Sequence, residues 1–179
     1  DAPTDAFRSP DGRWIVLGAT TSTGASAQGE ILAAQPGVDS LARRILATGS
    51  DAKGATLSPD SRWLAYVSNE QGANEVFVRP FPDVNGGKWQ VSSGGGSAPL
   101  WAHNGRELFY AEGGKLMSVA VERSPRFAAS VPRLLFENAD FVWERARNYD
   151  VLPDGSGFVF VRRGQGTPST RTLRVISDW

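Results

Sequence analysis

The chain has 179 residues, about the length of one domain, and its 19 basic and 19 acidic residues give a net charge of zero. This balance argues against nucleic-acid binding driven by phosphate neutralisation, and no apolar run approaches the roughly 20 residues of a membrane-spanning helix. The lack of cysteine excludes disulfides and thiolate metal sites, and a single histidine, His103, excludes zinc sites built from several histidines.

A seven-residue segment recurs four times along the chain. Residues 9–15 (SPDGRWI) return as residues 58–64 (SPDSRWL), in weakened form as residues 102–108 (AHNGREL), and last as residues 152–158 (LPDGSGF). Proline presets φ for a turn, aspartate or asparagine bonds the nearby backbone, and glycine accepts a positive φ. Each copy therefore predicts a hairpin corner. The residues assigned to a structural turn role are Pro10, Asp11, Pro59, Asp60, Asn104, Pro153 and Asp154.

Short apolar segments flank each corner and are typical of strands. The first unit has predicted strands at 6–8, 14–17, 30–33 and 43–46. The second has them at 55–57, 63–67, 75–79 and 88–91, and the third at 98–101, 108–111, 116–121 and 133–136. The fourth has three, at 149–151, 158–161 and 173–176. No stretch has a convincing helical pattern.

Four short antiparallel strands in each unit of about 45 residues are typical of a propeller blade. The predicted fold is all-β, a β-propeller of about four four-stranded antiparallel blades in a single domain over residues 1–179. The blades are expected at approximately 6–48, 54–92, 98–136 and 147–179. The first strand of each blade lies innermost, the most polar strand lies outermost, and the fourth blade lacks its outer strand.

Such a row of blades exposes apolar faces at its two ends. Three arrangements remain open: the chain is part of a longer propeller of six to eight blades, two copies form one ring as a homodimer, or the four blades close alone. We favour the first.

The repeats resemble a known group of bacterial proteins. Residues 54–72 (GATLSPDSRWLAYVSNEQG), followed by 75–82 (EVFVRPFP), resemble TolB-like, WD-repeat-like propeller repeats. Residues 87–101, 105–110, 148–151 and 175–179 are similar to the propeller that follows the kinase domain in bacterial serine/threonine protein kinases. Three residues depart from the family pattern. The family usually has Pro-Asp where this chain has His103-Asn104, and it usually has glycine where this chain has Ser61.

The resemblance implies a sensor module of a bacterial signalling protein. In kinases of this kind a membrane span separates the catalytic part from the propeller, so the resemblance also implies an extracytoplasmic or periplasmic location. The kinase motifs themselves, a Gly-x-Gly-x-x-Gly loop and a His-Arg-Asp segment, do not occur in this sequence.

The sequence contains no complete catalytic pattern. The nearest match to a Gly-x-Ser-x-Gly nucleophile elbow, at 24–28, lacks its second glycine, and His103 lies in a turn. The corner aspartates recur once in each unit, as turn residues do, and equivalent corners of a ring do not converge on one ligand. We therefore predict no catalytic residues, no metal site and no cofactor.

The connection 138–147 is longer than its counterparts and carries Trp143, Arg145 and Arg147. Long connections often carry binding, and tryptophan and arginine are enriched at interaction hot spots. Asn69 and Glu70 lie in a loop that is expected on the same face. We therefore predict that this face binds a protein, a peptide or a small ligand. The alternative is the gating propeller of a prolyl oligopeptidase-like serine hydrolase.

Overall fold

The computed structural model describes residues 2–23, 26–123, 126–137, 148–163 and 171–177. The side chains discussed below belong to residues 5–21, 28–123, 126–137 and 148–160. Within the described ranges the regular secondary structure is sixteen β-strands, with no helix. None of these residues therefore forms a helix that is long and apolar enough for a membrane span.

The strands form four antiparallel sheets in chain order. The first sheet contains β1 (Ala2–Arg8), β2 (Ile15–Thr23), β3 (Ser26–Ala34) and β4 (Arg43–Leu46). The second contains β5 (Ala52–Leu57), β6 (Trp63–Ser68), β7 (Glu75–Pro80) and β8 (Trp89–Gln90). The third contains β9 (Ser97–Trp101), β10 (Glu107–Glu112), β11 (Lys115–Glu122), β12 (Ala128–Ala129) and β13 (Arg133–Glu137). The fourth contains β14 (Tyr149–Val151), β15 (Gly157–Arg163) and β16 (Arg171–Ser177).

The predicted fold class is confirmed, and each of the fifteen predicted strands has a counterpart. The additional strand is β12, which the sequence pattern did not indicate. It exists because β11 is eight residues long and β13 pairs only with residues 115–118, so that the far end of β11 pairs with β12 instead. The division into blades at the predicted boundaries stays a prediction.

Each corner is a hydrogen-bonded turn whose fourth residue has a positive φ. In the first corner the Gly12 amide donates to the Ser9 carbonyl at 2.8 Å, and the Ser9 amide donates to the Trp14 carbonyl at 2.9 Å. The same two bonds recur in the other three corners. The fourth residues, with their φ angles, are Gly12 at 73°, Ser61 at 57°, Gly105 at 66° and Gly155 at 73°. This left-handed conformation explains the glycine in three of the four copies.

Neighbouring sheets pack face to face through three apolar clusters. The first joins sheets one and two, the second joins sheets two and three, and the third joins sheets three and four. All six residues of β6 are buried, because Leu64 and Tyr66 face the first sheet while Ala65 and Val67 face the third. Among the described side chains, no cluster joins the fourth sheet to the first. The described sheets therefore form an open row of propeller blades.

Candidate functional site

The first strands of the four sheets line a cavity of about 820 Å³. Its wall consists mainly of residues from β1, β5 and β9, with Asp150 of β14 at one side. Each of these strands lies at one edge of its sheet, and this edge borders the cavity. A volume of this size lies within the range of small-molecule sites.

Irregular pairing shapes the cavity wall. The registers of β5 with β6 and of β9 with β10 shift within the inner strands, as the register of β1 with β2 does. Gly54 of β5 and Ala98 of β9 occupy equivalent positions, and both have a positive φ, of 59° and 49°. Both residues line the cavity. Bulges of this kind bend a strand and redirect its side chains.

The cavity wall carries charges of both signs. Asp5 and Asp150 are acidic, whereas Arg8 and Lys53 are basic, and Asn74 adds an amide. The Arg8 Nε donates to the Gly12 carbonyl at 3.0 Å, and Lys53 forms an ion pair with Asp51. Such a wall suits a ligand that has both donor and acceptor groups.

His103 lies at the corner end of this cavity. Its Nε2 is 3.2 Å from the Val151 carbonyl oxygen, so that the ring bridges the third and fourth sheets. Within the described part of the chain, no serine or threonine hydroxyl is hydrogen-bonded to this ring. In the same residues, no group of three or more histidine, aspartate or glutamate side chains could hold a metal ion.

The corner aspartates and asparagine have the geometry of turn residues. In every corner their Oδ1 accepts a hydrogen bond from the main-chain amide two residues further on. The acceptor–donor pairs are Asp11 with Arg13 at 3.1 Å, Asp60 with Arg62 at 3.2 Å, Asn104 with Arg106 at 2.8 Å, and Asp154 with Ser156 at 3.0 Å. Pro10, Pro59 and Pro153 each hold the first central position of their turn, and Pro10 and Pro59 also border the cavity.

The hydrogen bonds around Asp11 lower the pKa of its carboxyl. The largest cause is the Ser9 hydroxyl, which donates to Oδ1 at 2.6 Å, and the Arg13 amide adds to it. The amide and the hydroxyl of Ser156 likewise lower the pKa of the Asp154 carboxyl. Both carboxylates are therefore held ionised as hydrogen-bond acceptors of the turn.

The corners also connect neighbouring sheets. The Asp11 amide donates to Ser61 Oγ at 3.1 Å, which joins the first corner to the second. Arg123 pairs with Asp60 at 2.6 Å and lies close against Gly105, which joins the second corner to the third. The repeat does not predict these contacts of Arg123, because this residue lies outside the repeated segment.

The side chains of Asn69 and Glu70 connect their loop to other segments of the chain. The Asn69 Oδ1 accepts a hydrogen bond from the Asp51 amide at 2.9 Å. The Glu70 Oε1 is 3.2 Å from Lys88 Nζ, an ion pair without hydrogen-bond geometry. The other end of this loop, Asn74, lines the cavity. The predicted contact residues Trp143, Arg145 and Arg147 lie outside the described residues, so that their role stays a prediction.

No protein-family model matches the chain, and no curated protein is similar to it in sequence. Solved structures do resemble its fold. TolB from Acinetobacter baumannii has a TM-score of 0.70 at 16% identity, over 96% of this chain and 40% of that chain. The periplasmic gluconolactonase of Pseudomonas aeruginosa has a TM-score of 0.57 at 16% identity, over 99% of this chain and 56% of that chain. A puromycin-hydrolysing peptidase of Mycobacterium tuberculosis has a TM-score of 0.60 at 20% identity, over 97% of this chain and 29% of that chain.

These similarities concern the fold, because one propeller architecture serves both enzymes and binding proteins. The chain spans less than two thirds of the length of each of these three structures. The chain shares the β-propeller fold with these structures and has four antiparallel sheets in chain order.

Proposed function

We propose that this chain is a non-catalytic binding module of a bacterial signalling protein and that its cavity takes a peptide or a small ligand. The observation that carries the proposal is the partly open cavity of about 820 Å³ that the inner strands line, with acidic, basic and amide side chains around it. A ligand with a free amine and a carboxylate would find an oppositely charged group for each.

The side chains at the cavity favour binding over catalysis. A hydrolase of the Ser-His-Asp type needs a base within hydrogen-bond reach of a nucleophile. The single histidine of the sequence is instead directed at the Val151 carbonyl oxygen.

The predicted loop face and the cavity belong to one continuous surface in this proposal. The loop that carries Asn69 and Glu70 ends at Asn74, and the connection that carries Trp143 leads into β14, whose Asp150 borders the cavity. The tryptophan and the two arginines would then contribute contacts at the entrance. The signalling role rests on the resemblance of residues 87–101 and 105–110 to kinase-associated propellers. The periplasmic gluconolactonase among the similar structures is consistent with an extracytoplasmic location.

Peptide selection tests this proposal. A displayed peptide library is selected against the wild-type chain, and the affinity of the selected peptides is then measured for Lys53→Glu and Asn74→Ala. We expect each substitution to weaken binding by about ten-fold or more, the scale of one lost polar or charged contact. The control is Arg62→Glu, an equal change of charge at an exposed corner residue that does not line the cavity.

The double variant Trp143→Ala/Arg145→Ala tests the loop face separately. We expect its melting temperature to stay close to that of the wild type while peptide binding weakens. Unchanged binding in this variant would remove the loop from the site, and unchanged binding in the Lys53 and Asn74 variants would remove the cavity.

The second candidate function is the propeller of a serine hydrolase, which the similarity to the mycobacterial peptidase favours. This interpretation requires a Gly-x-Ser-x-Gly segment elsewhere in the full gene. Hydrolysis of an aminoacyl p-nitroanilide by the full-length product would support the hydrolase, whereas an upstream kinase domain would contradict it.

A further inference from the structure

Glu75, at the start of β7, carries a buried carboxylate that does not itself line the cavity. The residue is only 6% exposed. In the part of the chain that the structure describes, no basic side chain forms an ion pair with it. Burying a carboxylate without a cation is costly unless hydrogen bonds replace its lost hydration. The hydrogen bonds of Glu75 therefore indicate what the carboxylate does.

Both oxygens of this carboxylate bind the connection between β8 and β9. Oε2 accepts a hydrogen bond from the Ser92 hydroxyl, and Oε1 accepts one from the Gly95 amide at 3.0 Å. Ser92 Oγ in turn accepts a hydrogen bond from the Val76 amide at 2.8 Å. We call residues 74–76 and 92–96, which these bonds tie together, the junction.

Gly96 extends the junction to Asn74. Its amide donates a hydrogen bond to the Asn74 carbonyl at 2.8 Å. A Cβ atom on Gly96 would overlap Ser92 Oγ and would lie 2.9 Å from a methyl carbon of Val76, so that a side chain does not fit there. The connection therefore lies close against the start of β7, and it holds the main chain of Asn74.

Asn74 is also the residue of the junction that lines the cavity, together with Ser97 immediately after it in the connection. The Ser97 hydroxyl is 3.4 Å from the Ala111 carbonyl oxygen, to which it donates. The Asn74 carboxamide, by contrast, has no hydrogen-bond partner among the described residues. The main chain of Asn74 is thus fixed, while its side chain is left for a ligand.

The blade repeat does not require this arrangement. Glu30 of β3 and Lys115 of β11 occupy the positions equivalent to Glu75 in sheets one and three. The Glu30 carboxylate accepts hydrogen bonds from Thr21 and Arg44, both in its own sheet. The buried carboxylate that binds a connection is therefore a feature of the junction beside the cavity.

We propose that Glu75 is a positioning residue of the cavity: through the junction it fixes Asn74, whose carboxamide pairs with a peptide group of the ligand. A carboxamide offers a donor and an acceptor side by side, as a peptide group does. A contact that is fixed before binding loses less conformational entropy on binding. This role rests on the proposed function of the cavity, and Glu75 acts through Asn74 without touching the ligand.

Nuclear magnetic resonance relaxation of the ligand-free chain tests the positioning. In the wild type we expect backbone order parameters of about 0.85, the value of a rigid backbone, at Asn74 and Gly96. Glu75→Ala removes both acceptor oxygens, and the two order parameters should fall toward about 0.6. The control is Glu30→Ala, the same substitution at the equivalent position of the first sheet, which should leave both values unchanged.

The peptides selected against the wild-type chain give the second measurement. Glu75→Ala should weaken their binding by about five-fold or more at a temperature where the variant is fully folded. In an Asn74→Ala background, the same substitution should weaken binding further by less than about two-fold, because the contact that Glu75 positions is already lost. Glu30→Ala should leave the affinity within about two-fold of the wild type.

Circular dichroism checks the folding of each variant. If Glu75→Ala does not fold, Glu75→Gln takes its place, because it keeps the size of the side chain and replaces one acceptor oxygen by a donor. Unchanged order parameters at Asn74 and Gly96 would overturn the proposal, and so would equal losses of affinity in the two backgrounds. A wild-type chain that selects no peptide would remove the proposed function of the cavity, and the order parameters would then decide alone whether Glu75 positions Asn74.

Discussion

Ser61 occupies the turn position that glycine holds in the other three corners, with a φ of 57°. A side chain in this left-handed conformation costs about 1 kcal/mol. Ser61 Oγ accepts the hydrogen bond from the Asp11 amide of the neighbouring corner, a bond of a kind that contributes about 1 kcal/mol. The gain and the cost are similar in size, which explains why serine is tolerated there.

Two substitutions separate these contributions. Ser61→Ala keeps the cost of the positive φ and loses the hydrogen bond, so we expect it to lower the free energy of unfolding by about 1 kcal/mol. Ser61→Gly loses the bond but relieves the backbone, so its free energy should stay within about 0.5 kcal/mol of the wild type. Urea unfolding measures both, and a glycine variant that is no more stable than the alanine variant would contradict this account.

Asp11 makes the stability of the first corner depend on pH. Its pKa in the folded chain is lowered below the ordinary value of 3.8, first by the Ser9 hydroxyl and then by the Arg13 amide. A lowered folded pKa stabilises the fold at pH values above the ordinary pKa, and this contribution is lost as the pH falls through the folded pKa.

We expect an NMR titration to place the pKa of the Asp11 carboxyl below 3.8, and Ser9→Ala to raise it toward that value. Arg8→Ala, which leaves the hydrogen bonds to the carboxylate in place, is the control. A pKa at or above 3.8 in the wild type would show that the hydroxyl does not hold the carboxylate.

The glycine-rich connection between β8 and β9 is held by buried polar groups. Ser92, which is 1% exposed, donates its hydroxyl hydrogen to Glu75 and accepts a hydrogen bond from the Val76 amide at 2.8 Å. The other carboxylate oxygen of Glu75 accepts a hydrogen bond from the Gly95 amide at 3.0 Å. These bonds fix the connection at the point where the chain passes from the outer strand of one sheet to the inner strand of the next.

Removing the Ser92 hydroxyl leaves the buried Val76 amide and the carboxylate without this partner. We expect Ser92→Ala to lower the free energy of unfolding by about 2 kcal/mol, because an unsatisfied buried amide keeps its full desolvation cost. The adjacent Ser93 is exposed, and Ser93→Ala should change the free energy by less than about 0.5 kcal/mol. Equal effects of the two substitutions would contradict the role of Ser92.

The strands and corners could be predicted from the sequence because each is specified by residues that lie close together in the chain. A corner needs proline, aspartate or asparagine and glycine within a few residues, and a strand needs a short apolar run. Contacts between distant segments have no such signal. The pair of Arg123 with Asp60 and the hydrogen bond that Ser92 donates to Glu75 depend on how sheets and loops meet in space.

Tyr66 and Tyr110 occupy equivalent positions in two repeats, yet the contacts of their hydroxyl groups could not be predicted from the repeat either. The Tyr66 hydroxyl accepts a hydrogen bond from Arg79 Nε at 2.9 Å. The Tyr110 hydroxyl is buried without a hydrogen-bond partner among the described residues. Burial, with the nearby charges of Glu112 and Glu75, raises the pKa of Tyr110 to about 12. The repeat places both rings at the same position, but it does not determine what surrounds their hydroxyls.

The cavity was only partly predictable. The repeat pattern placed the first strand of each blade innermost, and those strands do line the cavity. Lys53 and Asp150 could not be selected from the sequence, because single polar residues in a strand resemble any solvent-facing position. Asn74 lies at the end of the loop that carries Asn69 and Glu70, and nothing in the sequence distinguishes it from the other polar residues of that loop.

Across the whole molecule, the end sheets and the middle sheets should differ in local stability. The middle sheets are packed on both sides, and each end sheet has one packed side among the described residues. We expect amide hydrogen exchange in β2 and β15 to be faster than in β6 and β10, because a sheet packed on one side opens more readily than a sheet packed on both. Equal exchange in all four sheets would contradict the expectation.

Each apolar cluster joins only two adjacent sheets, so that the four described sheets share three contacts. Each middle sheet takes part in two of these contacts, and each end sheet takes part in one. Loss of one end sheet would therefore break a single contact, whereas loss of a middle sheet would break two and would separate the sheets on either side of it.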